Sequence, residues 1–447
     1  MDNFQPQLHE EKKQGFFGRH SKSLKVVTIA ILVLLLLIPM GMIESLIRER
    51  QYTQKEAYED VSQKWSKAQT IIGPFLNIRY TTLKLKENTD EYITETSNLL
   101  ILPDELNING NLETSTRNRG IYDVNVYQSE LNIQGVFSYE ELRKLNLDTR
   151  NIHFKEATLC FEISDLRGIS EQIKITWKDS TYTFEPGTNS NGFYNIGVNT
   201  IIDASDILES KVNFEMNLKL KGSQSMFFTP LGKTTKVDLK ANWHTPSFTG
   251  SYLPENHNIG NENFDAHWQV LNLNRNYPQV FFMNNSSRTN IKESAFGVVL
   301  KVPVEQYQQS MRTAKYAILI ILLTFTVVFF TEIMDKKRIH ALQYLLIGLA
   351  LCLFYSLLLS ISEQMNFTLA YIISSLLTIS LISLYIRGIM KRKRPALIMA
   401  GLLSILYLYI FILIQLETLA LLAGSLGLFI ILAVLMYFSK KINWYNE

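Results

Sequence analysis

Residues 314–338 read AKYAILIILLTFTVVFFTEIMDKKR. From Ala314 to Ile333 this stretch is apolar, with charge confined to Lys315 and Glu332 near its ends. A helix rises about 1.5 Å per residue, so about 20 such residues cross the hydrocarbon core of a bilayer. Lys336, Lys337 and Arg338 follow at once. Basic residues in short loops stay on the cytoplasmic side, which gives the span a direction as well as a length.

Working outward, five more runs have the same character: Val26 to Ile43, Leu342 to Ser360, Phe367 to Ile386, Ala396 to Ile414, and Leu419 to Phe438. The first follows Lys12, Lys13, Arg19, Lys22 and Lys25, as a secretory signal would. However, it ends in Pro39-Met40-Gly41-Met42-Ile43-Glu44 without a small-residue cleavage pattern, so it reads as an anchor extending to Ile47. The expected spans are therefore 25–47, 314–334, 342–360, 367–387, 396–414 and 419–438.

Arg387 with Lys391-Arg392-Lys393-Arg394, and Lys440-Lys441, fall on the same side as Lys336-Lys337-Arg338. The alternate loops, Ser362-Glu363-Gln364 and Gln415-Leu416-Glu417, carry acids and no Lys or Arg. This predicts cytoplasmic tails at 1–24 and 439–447, with residues 48–313 on the outer side of the membrane. The run Arg387 to Arg394 fixes topology and suits anionic lipid head groups.

The span interiors are neutral. Glu44, Lys315 and Glu332 lie near helix ends, where snorkelling or interface hydration is expected to satisfy them. Gly348, Cys352, Ser356 and Ser360 share one helix face, as do Ala370, Ser374 and Thr378; these faces predict close helix packing. Tyr344, Tyr355, Tyr371, Tyr385 and Tyr407 read as packing residues or interfacial anchors.

Between the first two spans lie roughly 265 residues, enough for a core of their own. Glu49 to Ala68 continues as a helical stalk, and Gly73-Pro74 is expected to break the chain. Tyr122 to Tyr127, Val212 to Leu220 and Thr235 to Lys240 then alternate apolar with polar residues, the pattern of half-buried strands. Glu185-Pro186-Gly187-Thr188, Asn191-Gly192, Lys221-Gly222 and Pro230-Leu231-Gly232 read as turns. Ser138 to Leu145 predicts one short helix with Ser138 and Glu141 as a capping box. The fold class is thus a membrane α-helical bundle of six transmembrane helices, one plus five, with a large inserted β-rich domain, antiparallel and sandwich-like.

The chain has a formal charge of +3 and no basic stripe with interleaved aromatics, which excludes nucleic acid as a partner on charge grounds. Cys160 and Cys352 lie in different solvents and do not form a pair. His-Glu-x-x-His, Gly-x-Ser-x-Gly and phosphate-loop patterns are absent. The best local cluster is Trp243 to Gly250 with Phe264 to Trp268. If His244 and His267 converged with Asp265 or Glu262, a metal or acid–base site would result. The favoured reading makes Trp243, Phe248 and Trp268 core anchors and the histidines their partly exposed neighbours. No catalytic, cofactor-binding or metal residue is assigned, and His9, His20, His153, His257 and His340 receive no role.

Several stretches together resemble the CreD family of inner-membrane proteins, also called cell envelope integrity proteins. They are Leu36-Leu37-Ile38-Pro39, Ile47-Arg48-Glu49-Arg50, Ile72-Gly73-Pro74, Arg119-Gly120-Ile121-Tyr122 and Asp165-Leu166-Arg167-Gly168-Ile169. To these add Trp243 to Phe248, Ala266-His267-Trp268, Tyr307 with Ala314 to Leu319, His340 to Leu346, Phe354 to Leu358, and Asn443-Trp444-Tyr445. They occur in matching order from Lys25 to Tyr445, with Ala341 standing where the family pattern has Pro. The resemblance implies residence in the inner membrane of a Gram-negative bacterium, a periplasmic domain and a role in envelope integrity or stress response. It transfers no catalytic residue.

The leading expectation is a non-enzymatic envelope protein, seated in the lipid bilayer, whose domain binds another envelope protein or a cell-wall component. The alternative is a membrane enzyme or transporter for a lipid-linked or cell-wall substrate, its site near Trp243 to Gly250 or on the small-residue faces.

Overall fold

A computed structural model describes residues 21–85, 92–187, 193, 196–282, 285–300, 305–335, 337–416 and 419–440. Outside these lie the tail residues His9, Lys12, Lys13, Arg19 and His20, the turn residues Thr188, Asn191 and Gly192, and Lys336, Glu417, Thr418, Lys441 and Asn443-Trp444-Tyr445. The chain divides into two compact units, residues 54–303 and residues 1–53 with 304–447.

Helix α1 (Ser21–Trp65) contains Pro39 and runs through the expected span and most of the expected stalk. In the β unit, one sheet has eight strands. In spatial order they are β14 (Asn256–Ile259), β15 (Phe264–Leu271), β12 (Thr234–Ala241), β3 (Glu105–Arg119), β4 (Tyr122–Phe137), β10 (Val212–Ser223), β6 (Lys174–Trp177) and β7 (Ser180–Thr183). The nine-stranded sheet runs β13 (Pro246–Gly250), β17 (Phe296–Leu300), β11 (Ser225–Phe228), β1 (Gln69–Leu85), β5 (Ala157–Ile163), β9 (Gly197–Ile202) and β8 (Glu185–Pro186). On it, β2 (Tyr92–Ile101) also pairs with β1, and β16 (Val280–Phe282) pairs with β2.

Among the described residues, pairing is antiparallel except for one parallel pair in each sheet, β1 with β11 and β3 with β12. Alternation does the sorting. Along β10 every second residue from Val212 to Leu220 is buried, and β12 repeats the pattern. Ile108, Ile133, Met216 and Val237 of one sheet join Phe75, Phe161, Met226 and Val298 of the other in one core, which makes the unit a sandwich.

Four local expectations change, the first being that Glu185-Pro186, read as part of a turn, forms the short strand β8. Gly73-Pro74 does not break the chain: both lie within β1, where the pairing with β5 shifts register between Ile72 and Phe75. Gly73 has φ of +129°, and proline offers no ladder N–H, so the pair suits an irregularity inside a strand. Lys221-Gly222 is not a turn but the end of β10. A side chain at Gly222 would meet the Tyr127 hydroxyl at 2.2 Å, so this glycine marks the close approach of a ring that donates to the Ser225 carbonyl at 2.7 Å. The short helix exists as α2 (Glu140–Arg143) without the expected capping box. Glu141 is drawn instead to Lys144 and Lys233, at 2.7 and 2.8 Å. A further helix, α3 (Asn285–Glu293), precedes β17.

The helical unit contains α4 (Glu305–Lys315), α5 (Ala317–Asp335), α6 (Ala341–Ser362), α7 (Phe367–Met390), α8 (Lys393–Gln415) and α9 (Ala420–Ser439). Among the described residues, α1 and α5 to α8 are long and apolar enough to cross a membrane, and α9 is apolar over the shorter stretch Leu422–Val434. The span after the β unit starts at Ala317, because Tyr316 separates it from α4. Helix α6 starts at Ala341. His340 caps it by accepting from the Leu342 N–H, and the Gln343 side chain accepts from the His340 N–H.

The small-residue faces do pack. Gly348, Cys352, Ala370, Ser374 and Thr378 are buried, whereas Ser356 is half-buried and Ser360 exposed. A Cβ on Gly348 would lie 2.2 Å from Leu36 Cδ1, so this glycine admits α1 into the bundle. Tyr344, Tyr355, Tyr371 and Tyr407 are buried packing residues, with the Phe354 ring 4.5 Å from that of Tyr407.

Candidate functional site on the outer sheet face

The aromatic cluster singled out in the sequence is part of the core. Trp268 is fully buried, and the Phe248 ring stands edge-on to it at 5.6 Å and to Phe264 at 5.7 Å. Trp243 is half-buried against the same core. The histidines do not converge on one another. His267 Nδ1 lies 2.7 Å from Asp238 Oδ1, Asp265 sits opposite Lys240, and His244 is exposed with its ring 5.5 Å from that of Trp243. Glu262 and His257 are exposed, and His153 meets the Thr81 hydroxyl at 2.8 Å. Among the described residues, no group of three or more His, Cys, Asp or Glu is placed to hold a metal.

What the strands assemble instead is a polar outer face on the eight-stranded sheet. Strand register aligns three rows across it. Lys236, Asn107, Gln134, Glu215 and Thr176 form one row; Asp238, Asn109, Asn132, Asn217 and Lys174 the next; Lys240, Asn111, Glu130 and Lys219 the third. An open groove of about 570 Å³ lies over the second and third rows. A second depression of about 350 Å³ lies at the first row, lined by Asn107, Gln134, Thr176, Asn213 and Glu215 among others.

Part of this face is internally satisfied. Asn132 Nδ2 donates to Glu215 Oε1 and to Asn217 Oδ1, and Gln134 Nε2 donates to Glu215 Oε1, each at 2.9 Å. These amide donors hold the Glu215 carboxyl below the usual carboxylate range. Lys219 donates to Glu171 at 2.8 Å, and that hydrogen bond, with the charges of Glu171 and Glu130, pushes its ammonium pKa up. The outward half of the strand alternation was the available signal, but alone it looks the same as any solvated face.

The Asp165 to Ile169 motif forms a clamp. Gln69 and Ser66 are fully buried, and Gln69 Nε2 donates to Ser66 Oγ at 2.8 Å and to the Asp165 and Lys221 carbonyls at 3.0 Å each. The Asp165 carboxylate accepts from the Lys67 N–H at 2.9 Å and from Arg167 Nη2 at 2.8 Å. Burial opposes its charge, but the Arg167 guanidinium and the N–H groups of Lys67 and Arg167 outweigh burial and hold the carboxyl at about 2. Gly168 is required here because a Cβ would sit 2.3 Å from the Lys221 carbonyl oxygen. Trp65, two residues before Lys67, lies under the Arg117 guanidinium at 4.8 Å.

The helical unit holds a charge centre that differs from expectation. Glu332 does sit near the end of its helix, but protein groups rather than interface water satisfy it. The side chain is buried, pairs with Lys25, and accepts from the Tyr344 hydroxyl at 3.0 Å and the Ile339 N–H at 3.1 Å. Lys25 also donates to the Ile339 carbonyl at 3.0 Å. At the other end of α1, Arg50 lies 3.7 Å from Glu363, which also accepts from the Tyr307 hydroxyl at 3.1 Å. Twenty-five residues of helix rise about 37 Å, a separation longer than a hydrocarbon core of about 30 Å. No local motif announces this arrangement, because its partners are some 300 residues apart in the chain.

Comparison with known proteins covers nearly the whole chain. The family model described as inner membrane protein CreD matches residues 21–445. Inner membrane protein CreD of Escherichia coli (strain K12) is 31% identical over 423 residues, covering 94% of this chain and 93% of that protein. A match this long takes in the first helix, the inserted sandwich and the helices that follow it, and the chain therefore belongs to the CreD family of inner membrane proteins.

Proposed function

We propose that this chain is a non-enzymatic protein of the cell envelope, serving its integrity or stress response, whose β unit lies in the periplasm and binds another envelope component. The observation that carries the reading is the groove on the eight-stranded sheet, a broad polar face on a unit anchored by membrane helices before and after it. Distribution of Lys and Arg supports the orientation, since the loops after α5 and α7 are basic and those after α6 and α8 acidic.

The groups on that face favour binding over acid–base chemistry. A general acid or base works best with a pKa near the operating pH. The Glu215 carboxyl is moved down and the Lys219 ammonium up, so both stay charged and paired.

The test is photo-crosslinking in intact cells, with a photoreactive residue at Asn109 or Lys240 of the full-length protein. Recovery of a defined envelope component at these positions, and not at the exposed Ile201 of the nine-stranded sheet, is expected. Equal or absent recovery at both places under resting and stress conditions would refute it.

A further inference from the structure

The geometry points to the outer face of the eight-stranded sheet as a binding site for a linear, uncharged, N-acetylated glycan. This rests on the proposed envelope-binding role and names its ligand class. The first observation is a column of amides with nothing to bond. Asn107, Asn109 and Asn111 point outward from β3, next to the middle of the sheet, and their side chains make no hydrogen bond within the chain among the described residues. Asn213, on β10, is likewise outward and unpaired among them. Outward residues of one strand repeat about every 6.8 Å, so the three β3 amides extend over about 14 Å. The two depressions occupy adjacent rows of the same strands, β3, β4 and β10, which suits an elongated ligand lying along them.

The second observation is that the groove carries no net charge and presents no outward apolar side chain. Lining the main groove, Glu130 and Asp238 balance Lys219 and Lys240. A polyanion would find no net positive field there. A protein partner would require buried apolar or aromatic anchors at its centre. The leucines at the groove, Leu131 and Leu218, are buried at 2% and 1% exposure, and the outward residues of all three rows are polar. A neutral glycan needs only what this face supplies: amides that both donate and accept, set at intervals in an open trough. Acetamido groups match these amides in kind.

Binding through hydrogen bonds exchanged against water is weak per contact. Full-length protein in lipid nanodiscs should therefore bind the hexamer of β-1,4-linked N-acetylglucosamine with a Kd of about 0.1–1 mM by titration calorimetry. Asn109→Thr with Asn111→Thr, β-compatible changes on a solvated face, should weaken binding at least about ten-fold. Asn109→Gln, which keeps the amide, should retain it, as should Ile201→Thr on the nine-stranded sheet. Cellohexaose, with the same backbone and no acetamido groups, should bind more weakly.

Absence of saturable hexamer binding by the wild-type protein, undiminished binding by the double variant, or tighter binding of cellohexaose or heparin would overturn the assignment. If the in-cell crosslinks at Asn109 recover a protein and the hexamer does not compete, the glycan assignment fails while the envelope-binding role stands. Failure of both experiments removes both.

Discussion

Replacing Lys25 with Met keeps the length of the side chain and removes its charge. Glu332 is then left buried with two neutral donors, the Tyr344 hydroxyl and the Ile339 N–H. At about 4 Å between charge centres and an effective dielectric of about 20, the lost attraction is about 4 kcal/mol before desolvation is counted. Breaking a fully buried pair costs about 3–5 kcal/mol, chiefly through the charge left unpaired. Lys25 keeps 25% of its side-chain exposure and the two donors remain, so about 2–3 kcal/mol is expected. Adding Glu332→Gln removes the stranded charge, and its amide oxygen still accepts from the same donors. The double variant should then lie within about 1 kcal/mol of wild type, a coupling of about 2 kcal/mol. Equilibrium unfolding of full-length protein in mixed micelles measures all four members of the cycle. If the single effects add to within about 0.5 kcal/mol, Glu332 is hydrated and the bundle is not tied through this pair.

Gly348→Val forces a branched side chain into Leu36 and should cost about 1–3 kcal/mol, partly recovered by Leu36→Ala, as read by the same unfolding assay. Asp165 has its pKa depressed from about 3.9 in the unfolded chain to about 2, so its contribution is present above about pH 4 and lost as pH falls through about 2. Discounted for the half-exposed Arg167, that contribution is about 1–2 kcal/mol; Asp165→Asn should remove it at neutral pH and flatten the acid dependence seen in tryptophan fluorescence, and equal slopes for both proteins would refute the clamp. For the proposed orientation, Asn109→Cys should react with an impermeant maleimide in intact cells and Lys393→Cys only after permeabilisation, against a low background from the buried Cys160 and Cys352. Labelling of Lys393→Cys in intact cells would reverse the orientation.

The apolar helices before and after the β unit were legible because a bilayer imposes one length and one polarity on every span. The strands around Phe214 and Val237 were legible for a similar reason, since alternation across a pleated sheet records which face meets the core. Where reading failed, glycine had two meanings. At Gly222 it admits the Tyr127 ring, and at Gly73 it sits with proline inside a strand; the sequence signal is the same as for a turn. Glu332 failed differently. Its position near a helix end was right, but its partner on α1 is fixed by tertiary packing that periodicity does not encode.

The stretches that resemble the CreD family divide unevenly between frame and surface. Asp165, Arg167 and Gly168 clamp the segment after α1, and Ile72-Gly73-Pro74 shapes β1. Phe248 and Trp268 close the core, and His340 caps α6. Of these stretches, Ala266-His267-Trp268 reaches the outer sheet face, where His267 is already engaged by Asp238. Asn107, Asn109 and Asn111 belong to none of them. Residues with a mechanical duty leave a local signature, because a glycine that admits a carbonyl or a capping side chain has few substitutes. A shallow polar site built from outward strand positions leaves little more than alternation, so its chemistry emerges only once register sets three amides in a column beside a satisfied network.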